Sequence, residues 1–178
     1  MNDDATLLKS ARKLDKDALM AVFDCYAPVL YKYALRLCRD SAEADDIVGD
    51  VFSQLLKYLK EGKGPRENLR SYLYQIAYHK VVDHARDRKH LTLLESAISL
   101  SSGDSLPSQY ENREQMDTLE SVIQNQLSED QRNVIVLRFI EDLSLKETAE
   151  IVGKNVNNVK VIQNRAIARL RQVLDRKF

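Results

Sequence analysis

The sequence predicts an all-α protein: two small helical domains joined by a flexible linker, the C-terminal one a helix-turn-helix. Three observations carry that prediction. The 5 glycines and 3 prolines among 178 residues are scarce and gather at punctuation points such as Gly62-Lys63-Gly64-Pro65, Gly103 with Pro107, and Gly153. Between those points apolar residues recur at the three- and four-residue spacing of a helix face. A Ser-rich stretch from about Leu91 to Tyr110 has little to bury and separates the two periodic blocks.

In the first block, Leu19, Val22, Phe23, Tyr26, Leu30, Tyr33 and Leu37 form one inward stripe, which Pro28 is expected to bend or restart. Asp40-Ser41 offers an N-cap. Ala44, Ile47, Val48, Val51, Phe52, Leu55, Leu56 and Leu59 make the next stripe, which stops at Glu61-Gly62-Lys63-Gly64-Pro65. A third helix follows with Leu69, Tyr72, Leu73, Ile76, Ala77 and Val81 inward. The expected boundaries are a helical domain over 1–90, a linker over 91–114 and a second helical domain over 115–178.

In the second block, Ser128 to Gln131 and Ser144 to Glu147 both have capping-box spacing and mark two helix starts. Gly153 supplies the positive φ that ends the helix begun at Ser144. Val159, Ile162, Ala166, Leu170 and Val173 then share one side of a last helix. Its other side carries Asn158, Lys160, Val161, Gln163, Asn164 and Arg165. Such a helix suits a DNA groove, because Arg and Lys pair with guanine while Asn and Gln pair with adenine. Arg138, Arg169 and Arg171 are expected to clamp phosphates, since a charge there positions without reading sequence. An ordinary helical hairpin with a solvated face explains the caps and the turn glycine less well.

Formal net charge is zero, which argues against a uniformly basic binder, but the charge is unevenly spread. Asp40 to Gln54 holds five acids (Asp40, Glu43, Asp45, Asp46, Asp50) and no base; Lys160 to Lys177 holds six bases against Asp175. One acidic face and one basic tail suggest a protein partner and a nucleic-acid partner. The 2 cysteines, Cys25 and Cys38, have neither zinc nor redox spacing and suit a reducing cytosol. No signal peptide or membrane-length apolar span is evident, so a cytoplasmic protein without membrane insertion is expected.

Catalytic chemistry finds little support. There is no phosphate-cradling glycine loop, no nucleophile elbow and no carboxylate pair in an apolar pocket. His79, Asp83 and His84 lie close along one helix but lack a further convergent ligand, so no metal, cofactor or catalytic residue is expected.

The same residues resemble a known family. Leu127-Ser-Glu-Asp-Gln-Arg132, Val136-Leu-Arg138, Leu143-Ser-Leu-Lys-Glu-Thr-Ala149 and Val159-Lys160 through Arg165-Ala166 look like region 4 of bacterial sigma factors. Ala44-Asp-Asp-Ile-Val-Gly-Asp-Val-Phe52 looks like the region 2 helix that holds the polymerase clamp. Leu69-Arg-Ser-Tyr-Leu-Tyr-Gln-Ile-Ala77 with Asp83 and Arg86 looks like the promoter-melting segment. Two such regions on a short tether are similar to the extracytoplasmic-function (group IV) sigma factors.

The resemblance implies that the chain binds core RNA polymerase, directs it to promoter DNA and opens the duplex. Carried over by position, it puts Asp45, Asp46, Ile47, Asp50, Val51 and Phe52 against the polymerase clamp. The loop from Glu61 to Asn68 would capture a flipped base of the −10 element, with Arg66 and Asn68 bonding it. Tyr78, His79, Lys80, Arg86 and Arg88 would follow the separated strand, with Tyr74 as a further stacking surface and Tyr72 assigned to the core. Arg138, Asn158, Lys160, Val161, Asn164, Arg165 and Arg169 would serve the −35 element. The family also implies an anti-sigma partner.

The sequence departs from the family where Gly49 stands for a usual glutamine, at a helix cost of about 1 kcal/mol. His79 stands for a usual asparagine, and Asn157-Asn158 for Gly-Thr. Two other functions compete with initiation: a stand-alone helix-turn-helix transcriptional regulator, and a helical adaptor whose basic tail only solubilises it.

Overall fold

The computed structural model of the chain describes residues 4–101 and 119–175, without side chains at 95–101 and 119–120. All the regular structure among the described residues is helical. Helices α1 (Asp4–Ala11), α2 (Lys16–Cys38), α3 (Ser41–Lys60) and α4 (Leu69–Ser101) make the first half. In the second, α5 (Leu119–Gln126) and α6 (Glu129–Ile135) lead through a π turn, Val136–Ile140, to α7 (Leu145–Val152) and α8 (Val156–Leu174).

The caps form where the residue types place them. The Asp40 carboxylate accepts from the Glu43 amide at 2.9 Å and starts α3. Ser128 with Gln131 and Ser144 with Glu147 make complete capping boxes at the heads of α6 and α7. Gly153 ends α7 at φ 65°, where a side chain would be strained.

Two expectations are corrected, one on Pro28 and one on the inward stripes. Pro28 neither stops nor restarts its helix, because α2 runs from Lys16 to Cys38 with Pro28 on its exposed side. Helix α4 runs on to Ser101, into the expected linker, and the rest of that linker, from 102 on, lies outside the described residues. Phe23 and Leu56 do not point inward; Phe23 is 49% exposed and Leu56 lies at the surface beside the buried stripe of α3.

Packing joins what the sequence separates. A single apolar cluster runs from α1 through Tyr33, Leu73, Tyr74 and Val81 to Leu137, Leu143, Ile151 and Val159, so both halves share it. A smaller cluster of Ile123, Leu127, Ile135 and Ala166 seats α8 on α5 and α6. Helix α7 lies along α4. Asn68, just ahead of α4, and Ser71 and Gln75 within it reach Glu147 and the Glu150 carbonyl of α7.

Candidate functional site

The acidic face of α3 is built by the periodicity that builds the core. Ala44, Ile47, Val48, Val51 and Leu55 turn inward, which leaves Asp45, Asp46 and Asp50 in solvent. Of the residues expected to meet a protein partner, Ile47 (1% exposed) and Val51 (0%) are therefore corrected. Both are core and present no surface, and Phe52 is buried as well. Apolar surface beside the acids comes instead from a neighbour: the Phe23 ring lies 4.8 Å from that of Phe52, centroid to centroid, and Met20 and Leu56 are exposed. Phe23 and Met20 were missed because they sit next to inward positions of α2. Asp50 also pairs with Lys80 at 2.8 Å.

The loop between α3 and α4 is tightly set. Gly62 has φ 70°, which favours glycine, and a Cβ on Gly64 would stand 2.5 Å from a Leu59 methyl, which would have to shift. Pro65 is buried beneath it and Arg66 stands in solvent. Asn68 takes φ 50°, which asparagine tolerates. Its side chain is engaged at both ends: Oδ1 accepts from the Ser71 amide at 3.2 Å and Nδ2 donates to Glu147 at 3.2 Å. Gripping a nucleotide with this side chain requires those bonds to be exchanged.

Along α4 the tyrosines sort differently from expectation. Tyr74 is buried, edge-on to Tyr33 with 5.2 Å between ring centroids, and Tyr78 is buried beside His79. Tyr78 is thus corrected as a stacking surface, and so is Tyr74; Tyr72 is the half-buried one. Burial pushes the Tyr78 hydroxyl above its ordinary range, with the nearby carboxylates of Asp130 and Glu129 adding to it. His79, Arg86 and Arg88 are exposed. Arg86 pairs with Asp83 at 3.6 Å, and Arg88 pairs with Glu43. His84 Nδ1 faces that same Glu43 at 3.6 Å. Among the described residues no three His, Cys, Asp or Glu side chains could hold a metal.

Helix α8 is started by Asn155, whose side chain accepts from the Asn158 amide at 2.8 Å. Val159 and Ala166 are buried against α6 and α7. That fixes the rotation of the helix and leaves Asn158, Lys160, Val161, Asn164 and Arg165 in a solvent-facing row; Val161 is 47% exposed. Arg138 does not join this row. Its guanidinium donates to the Leu143 carbonyl and, at 3.2 Å, to Gln163 Oε1, so it braces the π turn against α8. Arg169 is exposed but donates to Gln126 at 3.2 Å.

Profiles of the family match both halves in order: Sigma-70 region 2 over residues 22–91 and Sigma-70, region 4 over 125–172. The extracytoplasmic-function RNA polymerase sigma factor SigW of Bacillus subtilis is 28% identical over 177 residues, covering 94% of each chain. BldN of Streptomyces coelicolor, of the same description, is 24% identical over 176 residues; the match spans 94% of this chain but 64% of BldN. The fold is similar to that of the sigma factor RpoE solved with the anti-sigma factor NepR from Bartonella quintana. The TM-score is 0.66 at 23% identity, over 88% of this chain and 96% of that one. No described helix is long and apolar enough to cross a membrane. With region 2 ahead of region 4 on one helical chain, and relatives aligned along almost all of it, the protein belongs to the sigma-70 family as an extracytoplasmic-function sigma factor.

Proposed function

We propose that this sigma factor divides its work between two surfaces, one for the enzyme and one for duplex DNA. Asp45, Asp46 and Asp50 with Phe23, Met20 and Leu56, seated on the buried Phe52, meet core RNA polymerase, an acidic rim beside an apolar patch. Arg66 and Asn68, with His79, Lys80, Arg86 and Arg88, take the −10 strand once it separates. The −35 duplex is read by Asn158, Lys160, Val161, Asn164 and Arg165, with Arg169 on the phosphates. Nothing in this scheme asks the chain to do covalent chemistry; phosphodiester synthesis is the polymerase's. It works in the cytoplasm, where that enzyme is.

One observation carries the reading. The outward row of α8 holds two amides and two cations, and none of the four side chains is tied up in a hydrogen bond or ion pair among the described residues. A solvated helix face usually mixes in acids, and this row has none. By analogy with RpoE and NepR, an anti-sigma protein is proposed as a further partner that covers these surfaces when transcription is off.

The test is to add the protein to core polymerase with a promoter library and sequence the transcripts. Initiation downstream of a shared two-part element supports the reading. Footprinting of a palindrome by the protein alone, with no transcription on adding core enzyme, would make it a stand-alone regulator. Binding to neither points to an adaptor.

A further inference from the structure

Helix α1 has no part in the surfaces above, yet it is held firmly. Leu7, Leu8 and Ala11 are buried, and the Tyr26 hydroxyl donates to the Asp4 carboxylate at 2.9 Å, which ties the head of α1 to α2. At its far end Lys9, Arg12 and Lys13 converge with Arg66, which arrives from the loop between α3 and α4. Together with Ala5 and Leu8 they line a cleft of about 480 Å³.

Charge in this cleft is one-sided. No carboxylate lines it, and none of the four cations has an ion-pair partner among the described residues. Of the acids nearest in sequence, Asp15 is occupied in accepting from the Ala18 amide at 2.8 Å to cap α2, and Glu67, beside Arg66, is exposed and does not line the cleft. Cations in the last turn of a helix are favoured by its dipole, which accounts for Lys9 and in part for the two that follow. It does not account for Arg66, brought from a different element into the same cleft. Four unneutralised cations repel one another, and a polyanion relieves that repulsion.

We propose that Lys9, Arg12, Lys13 and Arg66 form a phosphate-binding cleft for the backbone of promoter DNA, next to the loop that captures a −10 base. The inference rests on the assignment of that loop and extends it to α1. Four exposed cations on a short helix and a loop give positive charge without groups aimed at base edges. The cleft therefore positions the strand without reading it.

The test uses wild-type holoenzyme and one carrying Lys9→Gln, Arg12→Gln and Lys13→Gln, none of which is a core residue. Promoter affinity is measured across a salt series. Removing one phosphate interaction should flatten the slope of log affinity against log salt by about 0.7 to 0.9, so the triple variant should lose about 2 to 3. Single substitutions should each remove about one phosphate's share, on all promoter sequences alike, while affinity for core polymerase stays unchanged. An unchanged slope in both the triple and the single variants overturns the proposal. If instead core affinity falls while the slope holds, the cleft takes an acidic protein surface, and the proposal fails. Transcription by the wild-type holoenzyme tests the underlying sigma reading separately.

Discussion

The hydroxyl of Tyr74 on α4 donates to the carboxylate of Glu141 at 2.5 Å, across 67 positions of sequence. Glu141 lies at the end of the π turn and is buried; its other carboxylate oxygen is 3.4 Å from Arg36 of α2, and Arg70 of α4 donates to its carbonyl. A buried carboxylate costs several kcal/mol unless paired and hydrogen-bonded, and here the partners come from the opposite half of the chain. Burial, with the carboxylate beside it, holds the Tyr74 hydroxyl above its ordinary range. Region 4 is thereby docked on the helix assigned to melting DNA.

Tyr74→Phe should cost about 1–2 kcal/mol in urea unfolding, the usual penalty for removing one partner of a buried polar group. Combined with Glu141→Gln in a double-mutant cycle, a coupling of about 0.5–3 kcal/mol is expected. Strict additivity would mean that the two groups do not work together.

Glu147 gives the same docking a pH dependence. Its carboxylate accepts from the Ser144 amide at 2.8 Å, from Asn68 ahead of α4 and from Ser71 within it, and hydrogen bonding lowers its pKa from 4.5 to about 2, with Ser144 the largest cause. A lowered folded-state pKa stabilises above the unfolded value and is lost as pH falls through the folded one. The stability advantage of the native protein over Glu147→Gln should therefore be constant above pH 4.5 and shrink between 4.5 and about 2. An advantage that grows on acidification would contradict this.

Gly49→Ala should stabilise the protein by about 1 kcal/mol, since Gly49 sits within α3 and nothing lies within 4 Å of an added Cβ. If the melting temperature rises while core-polymerase affinity falls, the glycine is kept for close approach of the partner. If both hold steady, the propensity argument is wrong. Gly64 differs, because there an added Cβ meets Leu59.

Local signals were the most legible. Both capping boxes, the Asp40 cap, Gly153 and the buried face of α8 depend on neighbours within four residues, and the residue types alone specify them. The acidic row of α3 was visible for the same reason, although burial removed Ile47 and Val51 from it. What escaped was tertiary. Tyr74 and Tyr78 read as stacking surfaces because a tyrosine looks alike in a core and on a surface until its neighbour is known. The bracing bonds of Arg138 escaped because its acceptors, the Leu143 carbonyl and Gln163, depend on the π turn. Glu141 carried no local signal, since its partners lie 67 to 105 positions away.

The most direct test of the division of labour is the binding of reconstituted holoenzyme to a library varied through the −35 element, for wild type, Arg165→Ala and Asp46→Ala. Arg165→Ala is expected to lose about 1–3 kcal/mol of discrimination at one base pair with core affinity intact. Asp46→Ala should weaken core binding and leave base preference unchanged. Loss of core affinity in Arg165→Ala, or altered base preference in Asp46→Ala, would contradict the account.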